Sequence, residues 1–596
     1  MRARSTGFAQ VVMLAAIVLI VIGVGRPVSA SANAVVTLCR DVDESGSGTN
    51  LRQAIAATPD QNSLINTITF QCGGPATISF TIGGPLEIFQ ATSIDGGSSV
   101  TLTSAIPSSR NSLFVVANPG SFLYLNNLTL SHTNTDHPIC IPPVTCPSTV
   151  INGQGVTQLN NVTIQDSYSP LSVTSGTLTI SQSRFTGNSG TVVDIGDGVT
   201  TTVVGSSFQN NSDATPMVAR GVVSITGSQF VGNGSASFFP GACQLSIDGS
   251  EFRNNSDAAL QIYCGATTIS NSLFANNSAA RVGGAIRFFA GARQIELRAD
   301  RFLSNSAPAG GGALWLAPPE NGDIAILIDF SIFKGNRSGN LGGAVDIEKS
   351  ADLSKTIVRL RRASFSRNTA DGSGGAIAAS DAQLLASQTV FADNSAKQQG
   401  GAVALNNAQP LHSVLANSLF VRNSAPNGGA FSGDDSDFIN STVDSNAGVA
   451  IANAASHPPV HIKLANTIVS NNSQGGCGPA GLFDDGRRNL QFPSADCGAS
   501  IDVANPHLDS MYIPLPKSPP SGAGDMTVCM HQPVDGRDIY GSARGSSGTC
   551  AIGAAENLLL RQASGGNSGG CNCGRTLVDR LRRALPFGQR SPQNPG

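Results

Sequence analysis

From about residue 175 the chain returns to one order of apolar and polar positions every 22 to 32 residues. Each copy is marked by Phe-x-x-Asn. The Phe positions are Phe185, Phe208, Phe230, Phe252, Phe274, Phe302, Phe333, Phe365, Phe391 and Phe420. The Asn positions are Asn188, Asn211, Asn233, Asn255, Asn277, Asn305, Asn336, Asn368, Asn394 and Asn423. Two degenerate copies follow, Val443 with Asn446 and Val469 with Asn472. Five residues before each Phe or Val stands a second column: Ile180, Val203, Ile225, Ile247, Ile269, Leu297, Ile328, Leu360, Ala386, Leu415, Phe438 and Leu464. Its neighbours alternate, as in Val223-Ser224-Ile225 and Ile295-Glu296-Leu297, which is the period-two pattern of a strand with one buried face.

The period excludes other repeat architectures. A 22-residue copy has no room for two helices of about ten residues each, and a propeller blade needs about 40 residues. What remains is a coil of short parallel strands, each rung about 4.8 Å above the last. Identical positions then stack. The Phe and Ile columns become a continuous core, and the Asn column becomes an amide ladder at a tight bend, where Asn also tolerates the left-handed conformation. Sequons such as Asn254-Asn255-Ser256 read first as turn chemistry.

The longer copies add Gly-Gly-Ala nine residues beyond Phe: Gly283-Gly284-Ala285, Gly311-Gly312-Ala313, Gly342-Gly343-Ala344, Gly374-Gly375-Ala376 and Gly400-Gly401-Ala402, with Gly428-Gly429-Ala430 one residue earlier in its copy. Paired glycines permit close backbone approach, and a short strand follows. A glycine-rich phosphate cradle would instead need a helix at that point.

Phe-x-x-Asn alternating with Gly-Gly-Ala-Ile/Leu/Val resembles the repeat of the polymorphic outer-membrane protein family over roughly residues 175–475. The resemblance implies a right-handed parallel β-helix acting in adhesion. That family ends in an outer-membrane β-barrel, whereas the segment before Gly596 has no run of amphipathic barrel strands. Near the start, Asn50 is a plausible N-cap for a short amphipathic helix through Ala57, followed by a strand at Ile65 to Phe70. This stretch is similar to the Leu-Arg-Glu-Ala-Ile segment of many bacterial surface β-helix proteins, and is assigned to a cap over the open strand edge. Residues near 510–556, with Ser518-Pro519, Gly522-Ala523-Gly524, Asp535-Gly536-Arg537, Arg544 and Cys550-Ala551-Ile552-Gly553-Ala554-Ala555-Glu556, resemble the choice-of-anchor Q module. Ala551 stands where that module usually has an acidic residue. The fold class is therefore all-β: a right-handed, single-stranded parallel β-helix with a short N-terminal helical cap.

The domain reading is a secretory signal at 1–30, a cap and first irregular coils at 35–174, regular repeats at 175–475, C-terminal coils and cap at 476–556, and a Gly/Ser linker with a basic tail at 557–596. Arg2 and Arg4, the apolar run from Phe8 to Val24, and Val28-Ser29-Ala30 set out the signal. No later segment is apolar enough to span a bilayer. Only 13% of residues are charged and the net charge is −3, so no long-range field would draw nucleic acid or anionic membrane. Arg575 to Leu585 reads first as a loosely ordered tail rather than a basic helix.

Twelve cysteines fall in sequence-local couples: Cys39 with Cys72, Cys140 with Cys146, Cys243 with Cys264, Cys477 with Cys497, Cys529 with Cys550, and Cys571 with Cys573. An exported chain makes the first five couples disulfide candidates, with connectivity left open. Cys243 and Cys264 are 21 residues apart where the period is 22, which places them on neighbouring rungs. Cys571 and Cys573 are too close in sequence for easy pairing.

No catalytic constellation emerges. Asp434-Asp435-Ser436-Asp437 reads as a solvated turn whose ligands do not recur in adjacent rungs. His457-Pro-Pro-Val-His461 cannot form the helix that zinc-protease spacing needs. Neither metal nor cofactor is expected. If positions three and five after the first Gly face inward, as Leu314 with Leu316 and Val345 with Ile347 suggest, then Arg287, Trp315, Asp346 and Glu348 form an exposed patch fit for a sugar. The function expected is an adhesin or display scaffold binding an extracellular glycan or surface protein. The alternative is a polysaccharide lyase or hydrolase.

Overall fold

The computed structural model describes residues 33–556, except 42–46, 58–64, 81–83, 105–111, 133–150, 212–213, 239–242, 318–322, 350–355, 409–410, 454–460, 480 and 546–547. The signal segment, the couple of Cys140 and Cys146, His457, the couple of Cys571 and Cys573, and the basic tail lie outside the described residues. The disulfide expected between Cys140 and Cys146 therefore stays an expectation from sequence.

The chain is a right-handed parallel β-helix. Each regular rung gives two strands to a 33-stranded parallel sheet and a third to a 16-stranded parallel sheet. In one rung these are Gln244–Asp248, Glu251–Arg253 and Leu260–Ile262. Register is set by the apolar columns: Ile247 pairs Ile269, which pairs Leu297, and Phe252 pairs Phe274, which pairs Phe302. A slip of one residue would turn these side chains out to water, so burial holds the register.

The Phe column is a stack of rings. From Phe185 to Phe365 successive centroids lie 4.6 to 4.9 Å apart and nearly parallel. The stack runs on through Phe391 and Phe420, and then crosses columns. Where Val443 replaces Phe, the next ring is Phe438 from the Ile column, tilted 55° at 5.8 Å from Phe420. The core keeps an aromatic there by exchanging positions.

The Asn ladder is buried and directional. Asn255 donates through Nδ2 to Phe230 O at 3.0 Å and to Asn277 Oδ1 at 2.9 Å, and its backbone N–H donates to the same Oδ1. Each amide donates in the same way to the next rung. The order is Asn188, Asn211, Asn233, Asn255, Asn277, Asn305, Asn336, Asn368, Asn394 and Asn423, and it continues into the degenerate copies through Asn446 to Asn472. One expectation is corrected here. The left-handed residue at this bend is not Asn211, Asn233, Asn255, Asn277 or Asn305 but the one before each of them: Asn210, Gly232, Asn254, Asn276 and Ser304. The same holds for Asn336, Asn368, Asn394 and Asn423, which follow Gly335, Arg367, Asp393 and Arg422 at positive φ. The ladder amide instead secures the carbonyl and N–H groups that the turn leaves open.

A second ladder, two residues before the Phe on the rungs from Phe185 to Phe274, has no counterpart in the sequence reading. Ser183, Ser206, Ser228, Ser250 and Ser272 sit at the bend between the two long-sheet strands, and the N–H of each donates to the next rung's side-chain oxygen.

At the N-terminus the helix Leu51–Ala56 has a capping box formed by Asn50 and Gln53, and buries Leu51, Ala54 and Ile55. At the other end the strands finish at Asp502–Val503, and residues 505–556 do not simply continue the coil. They lie along its flank, where Tyr512, Ile513, Ile539 and Tyr540 pack on Val390, Ala392, Leu419 and Val421. Arg544, fully buried, donates to Asn417 Oδ1 and to the carbonyls of Ala551, Gly553 and Ala554, with Glu556 3.8 Å away.

Disulfides join Cys39–Cys72, Cys243–Cys264, Cys477–Cys497 and Cys529–Cys550, with Cα separations of 5.7, 5.0, 4.9 and 6.7 Å. Among the described residues no helix is long and apolar enough to cross a membrane.

Candidate functional site

The second sheet carries the side chains that strand alternation assigns to a patch. Its outward positions align across four rungs: Gln261, Arg287, Trp315 and Asp346 pair in that order. Leu314, Leu316, Val345 and Ile347 point into the core beside them. The inward and outward alternation is therefore legible in the sequence, but the exposure is not. Arg287, Trp315 and Asp346 are buried, at 9%, 8% and 4% exposure, and only Glu348 is exposed.

The glycine turn causes this burial. The first glycine of each Gly-Gly-Ala has φ near +60°, and the residue four positions later folds over it. A Cβ on Gly283 would sit 2.9 Å from Arg287 Cγ, and one on Gly342 would sit 2.9 Å from Asp346 Cα. One on Gly310 would meet Asp346 Oδ2 at 2.0 Å. The outward column is thus tucked beneath the turns of its own sheet.

The exposed part of the face lies two residues further along each strand. There Tyr263, Phe289, Ala317 and Glu348 follow one another, held by Phe289 N–H to Ile262 O, Ala317 N–H to Phe288 O and Glu348 N–H to Leu316 O. Tyr263 and Phe289 stack at 4.1 Å, and Phe289 meets Trp315 edge to face at 5.6 Å. Both stacked rings are half-buried. Sequence reasoning missed Tyr263 and Phe289, although each follows the last inward residue of its strand and was open to the same alternation.

Polar groups border this platform. Arg287 is fixed by Nε to Val282 O at 2.7 Å and by Nη2 to Asp257 Oδ1 at 2.5 Å. Trp315 Nε1 is buried and has no hydrogen-bond partner among the described residues. Burial, with the Glu348 charge, pushes Asp346 up to about 7. Burial also raises Tyr263. The assembly offers flat aromatic faces resting on a fixed cation, a buried indole and a buried carboxyl group pushed up to about 7.

A second cluster corrects the reading of Asp434 to Asp437. Ser436–Ile439 is a strand of the long sheet, not a loop. Asp435 accepts from His412 Nδ1 at 2.8 Å, and Asp437 lies 3.6 Å from His412 Nε2. Asp437 pairs in register with Lys463, which pairs with Asp484, and Asp484 lies 2.7 Å from His461. Polar partners therefore do recur on adjacent rungs. Among the described residues, no three metal-ligating side chains converge on one point.

Comparison with known families bears on the coil and on its repeats. Residues 149–316 match the right handed beta helix region. Residues 362–380 match the Chlamydia polymorphic membrane protein repeat. This chain carries polymorphic membrane protein-type repeats on a β-helix. The repeat match spans Arg362 to Ser380, which takes in Phe365, Asn368 and Gly374-Gly375-Ala376. The ring stack, amide ladder and glycine turn are thus features of one repeat type. No curated protein matches the chain.

Proposed function

We propose that the protein is an extracytoplasmic β-helix scaffold of adhesin type that binds a glycan through the aromatic platform of its second sheet. The repeat type and the disulfides support a surface setting. The observation that carries the binding reading is the stack of Tyr263 on Phe289, half-exposed and bordered by Arg287, Trp315 and Asp346. Aromatic faces with a few convergent polar groups are suited to sugar rings, which present C–H faces and hydroxyl edges. The exposed Glu348 carboxylate is the acceptor on this face that such hydroxyls can reach.

The test is a screen of the purified protein against neutral and acidic polysaccharides, with and without calcium, repeated with Tyr263→Ala and Phe289→Ala. Retention of a neutral glycan that is lost in both variants supports the platform. Metal-dependent release of shortened products would replace the adhesin reading with that of a lyase or hydrolase. The His412, Asp435, Asp437 and Lys463 cluster is where such chemistry would be sought.

A further inference from the structure

The outward face of the long sheet carries a different surface. One of its columns runs Thr268, Glu296, Leu327, Arg359, Leu385, Val414 and Asp437. The parallel column beside it places Asp329, Arg361, Ser387, Ala416 and Ile439 on successive rungs. Two depressions lie on this face, of about 450 and 600 Å³, and Arg359 borders both. The larger has an apolar floor of half-buried Leu385, Val414 and Ile439. Its wall is Gln532 and Pro533 of the C-terminal segment. That wall is held in place, since Asn417 donates to Val534 O at 3.3 Å and Gln388 to Asp538 O at 2.6 Å.

The charges at this depression are unbalanced at one end. Arg359 and Arg361 are exposed, stand two residues apart on one strand, and make no ion pair or hydrogen bond among the described residues. The register neighbour of Arg361, Asp329, is already engaged by Arg362 at 3.1 Å and Arg298 at 3.8 Å. Asp437 at the far end is faced by His412 and Lys463. Two free guanidinium forks above an apolar floor match carboxylates, which they bind in bidentate fashion, carried on rings that cover that floor.

We infer that this groove binds a carboxylate-bearing polysaccharide, with Arg359 and Arg361, side by side on one rung, gripping an acid group at the end of the groove and the chain running from there along the axis of the coil over the apolar floor. An acidic peptide fits less well. A peptide gains main-chain affinity by adding to a free sheet edge, and the strands here are paired on both sides. A glycan needs no edge, and rungs about 4.8 Å apart are spaced much like the residues of an extended sugar chain.

The test uses the full chain, titrated calorimetrically with a short oligogalacturonate, its methyl ester and an oligoglutamate of equal length. The inference expects the oligogalacturonate to bind, with affinity reduced at least about ten-fold by esterification and also by the double substitution Arg359→Gln/Arg361→Gln. Arg184→Gln, at an exposed arginine elsewhere on the coil, and Phe289→Ala, on the second sheet, should both leave it unchanged. Circular dichroism would verify that each variant keeps its fold. Absence of binding at millimolar probe, binding insensitive to the double substitution, or equal affinity for the ester or the oligoglutamate would overturn the inference. Loss in Phe289→Ala but not in the double variant would move the acidic ligand to the second sheet and overturn it as well. Failure of the neutral-glycan screen at Tyr263 and Phe289 leaves this result untouched, because the two surfaces share no residue.

Discussion

Asp300 Oδ1 accepts the backbone N–H of Ser272 at 2.8 Å, taking the place that a serine hydroxyl holds on the preceding rungs. Asp300 is fully buried, and its Oδ2 has no partner among the described residues. A carboxyl has been set into a ladder built for hydroxyls.

Burial pushes Asp300 from 3.8 up to about 7. A folded-state value above the unfolded one means that the fold prefers the protonated acid. Stability is therefore fullest below about pH 4 and declines as pH rises toward 7, by at most about 4 kcal/mol. Asp300→Ser restores the hydroxyl and should raise the urea midpoint at pH 8 much more than at pH 4. An equal gain at both pH values would show that the carboxyl does not titrate in this range.

Phe274 sits between Phe252 and Phe302, with centroids 4.7 and 4.9 Å away. Phe274→Ala should cost about 3 to 5 kcal/mol, because a gap in a stack fixed by its rungs cannot close. Urea denaturation would measure it. A loss below about 1 kcal/mol would mean that the neighbouring rings collapse into the space.

The second glycine of each turn lies against the next rung. A Cβ on Gly312 would fall 2.2 Å from Gly343 O and 2.6 Å from Arg337 N, both backbone atoms. Gly312→Ala should destabilise by at least about 1 to 3 kcal/mol through overpacking. Gly120→Ala, where a Cβ meets nothing within 4 Å, should be neutral or slightly stabilising. Equal thermal shifts in the two variants would contradict this packing account.

Cys243 and Cys264 should be recovered as one linked peptide under non-reducing conditions. Replacing both by Ser should cost roughly 3 kcal/mol in the chain-entropy picture. Recovery of both as free thiols would remove the bridge from the account.

How much of this was legible follows from what each residue touches. Phe252 and Ile247 were readable because a buried ladder repeats its residue type at every rung, and the period exposes it. Asn233 and Asn336 were readable for the same reason, although the strain of their bend falls on the residue before each. Ser250 belongs to a column that Asp300, Ala363 and Thr389 interrupt, serine is common and polar, and without the bend the column had no evident purpose. The docking of residues 505–556 left a trace that went unread. Rungs such as Glu251-Phe252-Arg253 flank the Phe with polar residues and Leu273-Phe274-Ala275 is apolar on both sides as a single rung, whereas Val390-Phe391-Ala392 and Leu419-Phe420-Val421 are apolar on both sides on two consecutive rungs. Those outward apolar residues are what Tyr512 and Ile539 cover. Trp315 was placed on the correct side of its strand and given the wrong exposure. Alternation tells which way a side chain points, and it does not tell that a glycine turn four residues earlier folds beneath it.

The bridge between neighbouring rungs also bears on how the molecule yields when pulled. A coil whose rungs touch only their neighbours gives way one turn at a time from its ends, and each 22-residue turn lengthens the chain by roughly 75 Å as it straightens. At Cys243–Cys264 the peeling chain meets a covalent loop that withholds the 21 residues of its span. A force–extension record of the oxidised protein should lack nearly one such step, and reduction should return it.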